Sequence, residues 1–198
     1  LKGGSTLTNL LACLQQWTKA NDSACYTDVI YLDIKKAFNT ISHVKLLYKL
    51  RMIGVGDAVV NWISAYLKDR RQRVKVGSDF SDWANVTSGV PQGSILGPSL
   101  FLIYINDLPS VVKSCSLTIY ADDTKLSLSG NSSEVQYLLQ SDFDNVADWL
   151  KEWQLELALG KCTVLHLGRP NPAVRGSLAD AEQAPLSRQS EPEHVASS

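Results

Sequence analysis

The sequence predicts an α+β domain, a mainly antiparallel sheet with helices packed on one face. Three observations carry that expectation. Short apolar runs rich in β-branched and aromatic residues alternate with segments of helical periodicity. Two of the short runs flank a compact acidic turn, the pattern of a β-hairpin. The resulting order, β-αα-ββ-α-ββ-α-β, is that of an α+β fold.

Asp28 to Ile34 is a nearly continuous apolar run ending in carboxylate chemistry, and reads as a strand buried on both faces. Ser42 to Met52 carries Val44, Leu46, Leu47 and Leu50 at helical spacing, with Ser42 as N-cap and Gly54 as the residue after the C-cap. A second helix is expected from Asp57 to Lys68. Residues 72–76 and 83–87 read as two strands joined by the turn signals Gly77-Ser78-Asp79. A Gly/Pro-punctuated segment, Ser88 to Ser94, opens an apolar stretch from Ile95 to Leu108. Residues 117–120 and 126–128 flank Ala121-Asp122-Asp123-Thr124, which places two acids at a hairpin tip. Ser133 to Trp153 is a long amphipathic helix, and residues 162–167 form the last strand.

The 198 residues carry a net charge of -1 and 44% hydrophobic content, which suits one domain plus a tail. Near-zero charge argues against holding nucleic acid by bulk charge alone, while leaving room for a local basic groove. No stretch approaches the ~20 apolar residues needed to cross a bilayer, so no membrane is expected as partner. Leu1-Lys2-Gly3-Gly4 has no signal-peptide pattern and no initial Met, the mark of a fragment or a processed chain. Cys13, Cys25, Cys115 and Cys162 are scattered without a CxxC, so an intracellular chain is expected, with nothing to choose between nucleus and cytoplasm. From Pro170 to Ser198 there are four of the seven prolines and no aromatic residue. Such a segment cannot bury enough surface to order itself, so residues 1–169 are expected to form the domain and 170–198 a disordered polar tail.

Asp33 and the pair Asp122-Asp123 each follow apolar strand residues, so each is expected near a strand end in a half-buried position. Carboxylates there are costly unless something neutralises them, and a hard divalent cation would do so. Taken alone, a pair such as Asp122-Asp123 in a hairpin is more often a plain turn than a metal site, since Asp favours turns for its local hydrogen bonding.

The assembly of motifs is more specific. Along most of Ser5 to Gly168, the chain resembles the reverse transcriptase domain of non-LTR (LINE-type) retrotransposons. Tyr31-Leu32-Asp33-Ile34-Lys35-Lys36-Ala37-Phe38 resembles motif A of that family. Ser88 to Pro98, continuing through Phe101 to Leu108, is similar to motif B, and Tyr120-Ala121-Asp122-Asp123-Thr124 to motif C. Trp149…Trp153 followed by Lys161 to Leu165 resembles motif D. The resemblance implies a polymerase palm-type antiparallel sheet with partial fingers and no thumb.

It also implies roles. Asp33 and Asp122 would be the main ligands of two Mg²⁺ ions (Mn²⁺ being a possible substitute), with Asp123 supporting and the Ile34 carbonyl as a further ligand. Phe38 would lie under the deoxyribose and exclude a 2′-hydroxyl. Gln92, beside Gly93, would contact the incoming dNTP. Lys161 would protonate the departing pyrophosphate as a general acid. Read without the family, Phe38 is a core aromatic and Lys161 a solvated lysine ahead of a strand. Two departures stand out: Asn39 replaces an expected Asp, and Ala158 a frequent Asn.

Lys68 to Lys75 packs five basic residues into eight. Strand alternation would put Arg71, Arg73 and Lys75 on one face, as a stripe for nucleic-acid phosphates or as the charged edge of a hairpin. The implied function is RNA-directed DNA synthesis with an RNA template, a DNA primer and dNTPs, the missing fingers and thumb belonging to a longer element protein. The alternative is a degenerate, inactive retroelement remnant that at most binds nucleic acid. On the first reading the chain alone is expected to show little or no polymerase activity.

Overall fold

A computed structural model describes residues 6–120, 123–132 and 134–168. The last expected segment, 170–198, lies outside these residues, as does Asp122. The chain opens with a helix absent from the sequence reading, α1 (Thr6–Asp22), and enters the central strand β1 (Tyr26–Asp33). A single turn, α2 (Ala37–Thr40), leads to α3 (His43–Met52) and α4 (Asp57–Leu67). Four two-residue strands follow: β2 (Arg71–Gln72), β3 (Lys75–Val76), β4 (Asp79–Phe80) and β5 (Ala84–Asn85). Then come α5 (Leu96–Ile105), the hairpin β6 (Ser116–Tyr120) and β7 (Asp123–Gly130), α6 (Glu134–Glu152) and β8 (Thr163–Leu167).

The sheet order is β6-β7-β1-β8, and every pairing is antiparallel. This is the expected α+β architecture with one addition. The even-numbered side chains of β1 (Ile30, Leu32) share a core with Leu126 of β7, Phe101 of α5 and Phe143 of α6. Each such side chain contributes about 1.5–3 kcal/mol by leaving water. The odd-numbered face is not bare, because α1 contacts β1 and β7 there and covers the end where Thr27 and Val29 are buried. Helices therefore pack on both faces, not one. α1 covers only part of its face, and the Tyr31–Asp33 end stays open.

Two terminal signals divide. Gly54 adopts φ +84°, and its N–H donates to the Arg51 carbonyl while Val55 N–H reaches that of Leu50, both at 3.0 Å. That is the reciprocal pair expected of a left-handed helix stop. Ser42 occupies the N-cap of α3, but its side chain makes no capping bond.

The basic hairpin also differs from expectation. In place of strands over 72–76 and 83–87, two short ladders form, Arg71–Gln72 with Ala84–Asn85 and Lys75–Val76 with Asp79–Phe80. Every one of these strand residues is exposed. With no buried face to fix the register, the ladder breaks at Arg73 and Val74.

Candidate active site

Asp33 of β1 stands directly across from Asp123 of β7, and Tyr120 of β6 completes the row. Asp123 is therefore the first residue of a strand, not part of the hairpin tip. The Asp33 carbonyl accepts from Ala158 N–H at 2.9 Å, and Lys35 N–H donates to the Glu156 carbonyl at 2.7 Å. These bonds turn the Asp33 main chain away from β7, which makes Asp33 and Asp123 a non-hydrogen-bonded pair. That is the closer antiparallel pairing, with Cα atoms about 4.5 Å apart. The same alternation turns the Ile34 main chain toward the β7 side, leaving its carbonyl unused by residues 156–158.

Two carboxylates facing each other across a ladder repel. Lys161 supplies one counter-charge, its Nζ lying 3.6 Å from Asp33 Oδ2. It is delivered there by the Ile34–Leu157 bridge and a short turn of helix at Leu159–Lys161. Ala158 needs no polar side chain for this, since its backbone makes the contact. The Asp33 side chain is 39% exposed, open enough to receive a ligand. Burial pushes the neighbouring Cys162 thiol upward, and the Asp33 charge adds to that push while a hydrogen bond with the Asp33 backbone opposes it.

These residues line a groove of about 310 Å³ whose walls also include Tyr31, Thr118, Tyr120 and Lys125. Paired carboxylate oxygens are the donors a hard divalent cation takes. Among the described residues no set of three or more His, Cys, Asp or Glu side chains is grouped to hold a metal. The expected third carboxylate, Asp122, lies outside them.

A second cavity, about 520 Å³, lies beyond the turn after β1 and is lined by Lys36, Asn39, Arg70, Gln72, Asn85 and Gln92, among others. Gln92 Nε2 donates to Asn39 Oδ1 at 3.1 Å, so Asn39 does hydrogen-bonding work at the position where the family carries an acid. Ser88 Oγ and Val90 N–H bond the Asn39 and Phe38 carbonyls at 2.9 and 2.8 Å, stitching residues 88–92 onto α2. Gly89 permits that approach, because a Cβ there would sit 2.6 Å from the Asn39 carbonyl oxygen. Gly93 is exposed, with φ +75°. Phe38 is partly buried, its ring 4.6 Å from that of Phe101, and it lines neither cavity.

The basic stripe gathers on aromatics. Arg73 Cζ lies 3.9 Å from the Phe80 centroid and 4.6 Å from that of Trp83, with Arg71 over Trp83 and Lys75 over Phe80. Arg71, Arg73 and Lys75 share the Phe80 and Trp83 rings although no single strand carries them, and Arg70 and Gln72 line the second cavity. Lys125, Lys36 and Arg70 were missed. Lys125 was legible in principle, since it lies two residues after Asp123 and so on the same face.

The antiparallel sheet with its packed helices is a polymerase palm-type fold, shared with solved telomerase structures. The chain belongs to the reverse transcriptase (RNA-dependent DNA polymerase) family, whose model matches residues 3–193. It is 30% identical over 164 residues to a probable RNA-directed DNA polymerase from transposon BS of Drosophila melanogaster, covering 79% of this chain and 18% of that protein. It is 29% identical over 179 residues to the corresponding probable polymerase from transposon X-element of the same fly, covering 86% and 20%. A Candida tropicalis telomerase, solved with a fragment of telomeric RNA, shares the fold with TM-score 0.63 at 13% identity over 82% of this chain and 30% of that one. The chain thus spans about a fifth of the length of the curated relatives it matches.

Proposed function

We propose that this site performs RNA-directed DNA synthesis, adding dNTPs to the 3′ end of a DNA primer on an RNA template. The observation that carries the reading is the cross-strand pair Asp33–Asp123 with Lys161 beside it. Asp33 and Asp123, with Asp122, would hold Mg²⁺, and Mn²⁺ takes the same oxygen donors. The ions supply activation of the primer hydroxyl and charge neutralisation on the pyrophosphate. The Ile34 carbonyl adds an oxygen on the same side of β1. Lys161 holds its ammonium at the rim of the groove, where it neutralises Asp33 and can pass a proton to the leaving group.

Gln92, pre-oriented by Asn39, contacts the incoming nucleotide, and the open backbone at Gly93 lets that nucleotide approach. Phe38 lies outside both cavities, its ring on Phe101 and its carbonyl bonded to Val90 N–H, and would set the sugar pocket indirectly through residues 88–92. On this reading Phe38→Ala raises ribonucleotide incorporation by about tenfold, measured as the ratio of rNTP to dNTP use. An unchanged ratio would make Phe38 a core residue alone. Arg71, Arg73 and Lys75 meet nucleic-acid phosphates from their aromatic shelf. The remaining grip on triphosphate and duplex comes from other segments of a longer protein.

Metal binding tests the centre directly, because its ligands are internal to the domain. Mn²⁺ titration followed by electron paramagnetic resonance should show a site that Asp33→Asn weakens at least about tenfold. Primer extension on an RNA template should give Mg²⁺-dependent product, however little, that Asp33→Asn abolishes. Equal Mn²⁺ affinity in both proteins would remove the metal centre, and extension persisting in Asp33→Asn would place the chemistry elsewhere.

A further inference from the structure

The groove holds a second row of side chains that the polymerase reading leaves unused. Thr118, Lys125 and Tyr31 stand directly across from one another on β6, β7 and β1. They lie two residues along each strand from Tyr120, Asp123 and Asp33, hence on the same face. Two residues of strand separate the rows by about 6.7 Å. The front row presents acids and the rear row presents donors: a hydroxyl, an ammonium and a phenol.

Among the described residues, Lys125 is a cation with no ion-paired acid. Lys35, Lys49 and Lys161 pair with Glu156, Asp107 and Asp33, whereas no described carboxylate lies within ion-pairing distance of Lys125. Its Nζ instead meets Cys13 Sγ of α1 at 2.8 Å and lies 5.2 Å from the Trp17 ring centroid. A thiol and an aromatic face position an ammonium without neutralising it. No described residue bonds the Thr118 or Tyr31 hydroxyl either. α1 thereby fixes a half-buried positive charge, flanked by two idle donors, on the floor of a groove whose other end carries the acids.

We propose that the Thr118–Lys125–Tyr31 row binds a phosphodiester of the primer strand, one nucleotide back from the 3′-hydroxyl at Asp33 and Asp123. The inference rests on the polymerase reading of the groove and assigns Lys125 as a positioning residue. The spacing between the rows is the scale of one nucleotide, from its 3′-oxygen to its 5′-phosphate. A phosphodiester supplies one negative charge and two acceptor oxygens to the three donors. Its contact with Lys125 is electrostatic and carries no sequence preference.

The test is fluorescence anisotropy of a recessed DNA primer on an RNA template, titrated with protein between 50 and 200 mM salt. Loss of one phosphate contact in Lys125→Met should make the slope of log K against log salt shallower by about 0.9 and weaken binding several-fold. Lys125→Arg should restore the slope. Cys13→Ala, which removes the α1 contact and keeps the charge, should retain it. Tyr31→Phe and Thr118→Val remove donors while sparing Lys125, so they keep the row testable if Lys125→Met fails to fold. Each should weaken primer binding about two- to fivefold without changing the slope. A wild-type slope in folded Lys125→Met, or wild-type affinity in both hydroxyl variants, would leave Lys125 as a strut between α1 and β7. No binding of primer–template by the wild-type chain at 50 mM salt would overturn this assignment, whereas the polymerase reading stands or falls on the Asp33-dependent Mn²⁺ site.

Discussion

Asp33 and Asp142 belong to the same domain, and their surroundings treat them in opposite ways. Asp142 of α6 is 1% exposed, and its carboxylate accepts the backbone N–H groups of Lys113, Ser114 and Cys115 at 2.7–2.9 Å. Asp33 faces another acid across the ladder and has one lysine at 3.6 Å. The buried carboxylate is saturated with donors and ties the segment before β6 to α6. The open one is left short of donors, as a ligand-binding group must be. Lys49 and Lys125 repeat the contrast. Lys49 is buried against the Asp107 carboxylate, the Tyr104 carbonyl and the ring of Trp153, whereas among the described residues Lys125 has no acid within ion-pairing distance and meets Cys13 and Trp17. Partner count therefore separates the residues that hold the fold from those available for binding.

The largest expected effect lies beside Asp142. Burial, with Asp142 adding to it, pushes the Cys115 thiol up to about 12. At pH 8 its thiolate fraction is then about a thousandfold below that of an unperturbed cysteine. Iodoacetamide labelling read by mass spectrometry should find Cys115 slower than a free thiol by at least about that factor. Labelling at a free-thiol rate would mean that the segment before β6 is not anchored.

Next comes Asp33→Asn. Catalytic turnover should fall by about a hundredfold or more. The melting temperature should hold or rise, since the substitution removes one of two facing like charges. A loss of stability would make Asp33 a structural group like Asp142.

Asp142→Asn should do the reverse, costing about 2–3 kcal/mol because one acceptor becomes a donor facing amide protons. Burial opposes the charge of Asp142, but the three backbone N–H donors outweigh it and hold the carboxyl below the usual range. A carboxyl depressed in the folded state adds stability above its unfolded value, and that stability is lost as pH falls through the folded one. The wild type should therefore lose stability faster than Asp142→Asn as pH drops below about 4. Parallel curves from chemical denaturation would refute this.

Arg73→Ala is the smallest, about 0.5–1 kcal/mol, because its aromatic contacts are exposed. Its effect should appear in nucleic-acid affinity more than in melting temperature.

Much of the fold was readable because burial writes periodicity into sequence. The helices at 43–52, 57–67 and 134–152 and the hairpin around Asp123 follow from it. α1 escaped because Leu7, Leu10, Leu11 and Leu14 remain exposed, so its apolar residues trace no buried stripe. The basic hairpin was misplaced because nothing in it is buried, and propensity alone cannot fix register. In the candidate site, motif spacing singled out Asp33, Asp123 and Lys161, which the fold brings to one groove, and Gln92, which lines the second cavity. It passed over Lys125, Arg70 and Gln72, whose places in the cavity walls depend on which face meets which cavity.

The sequence by itself determined the family, the antiparallel sheet and the residue types at its acidic end, because local periodicity and motif order are properties of the chain. Tertiary structure alone decided that Asp33 meets Asp123 in a close cross-strand pair and that Gln92 is held by Asn39. It also decided that α1 covers half of one face and leaves Lys125 charged in the groove. Those facts join residues tens of positions apart. They depend on register and on which counter-charges come within a few ångströms, and both are set only when the strands pair and the helices pack.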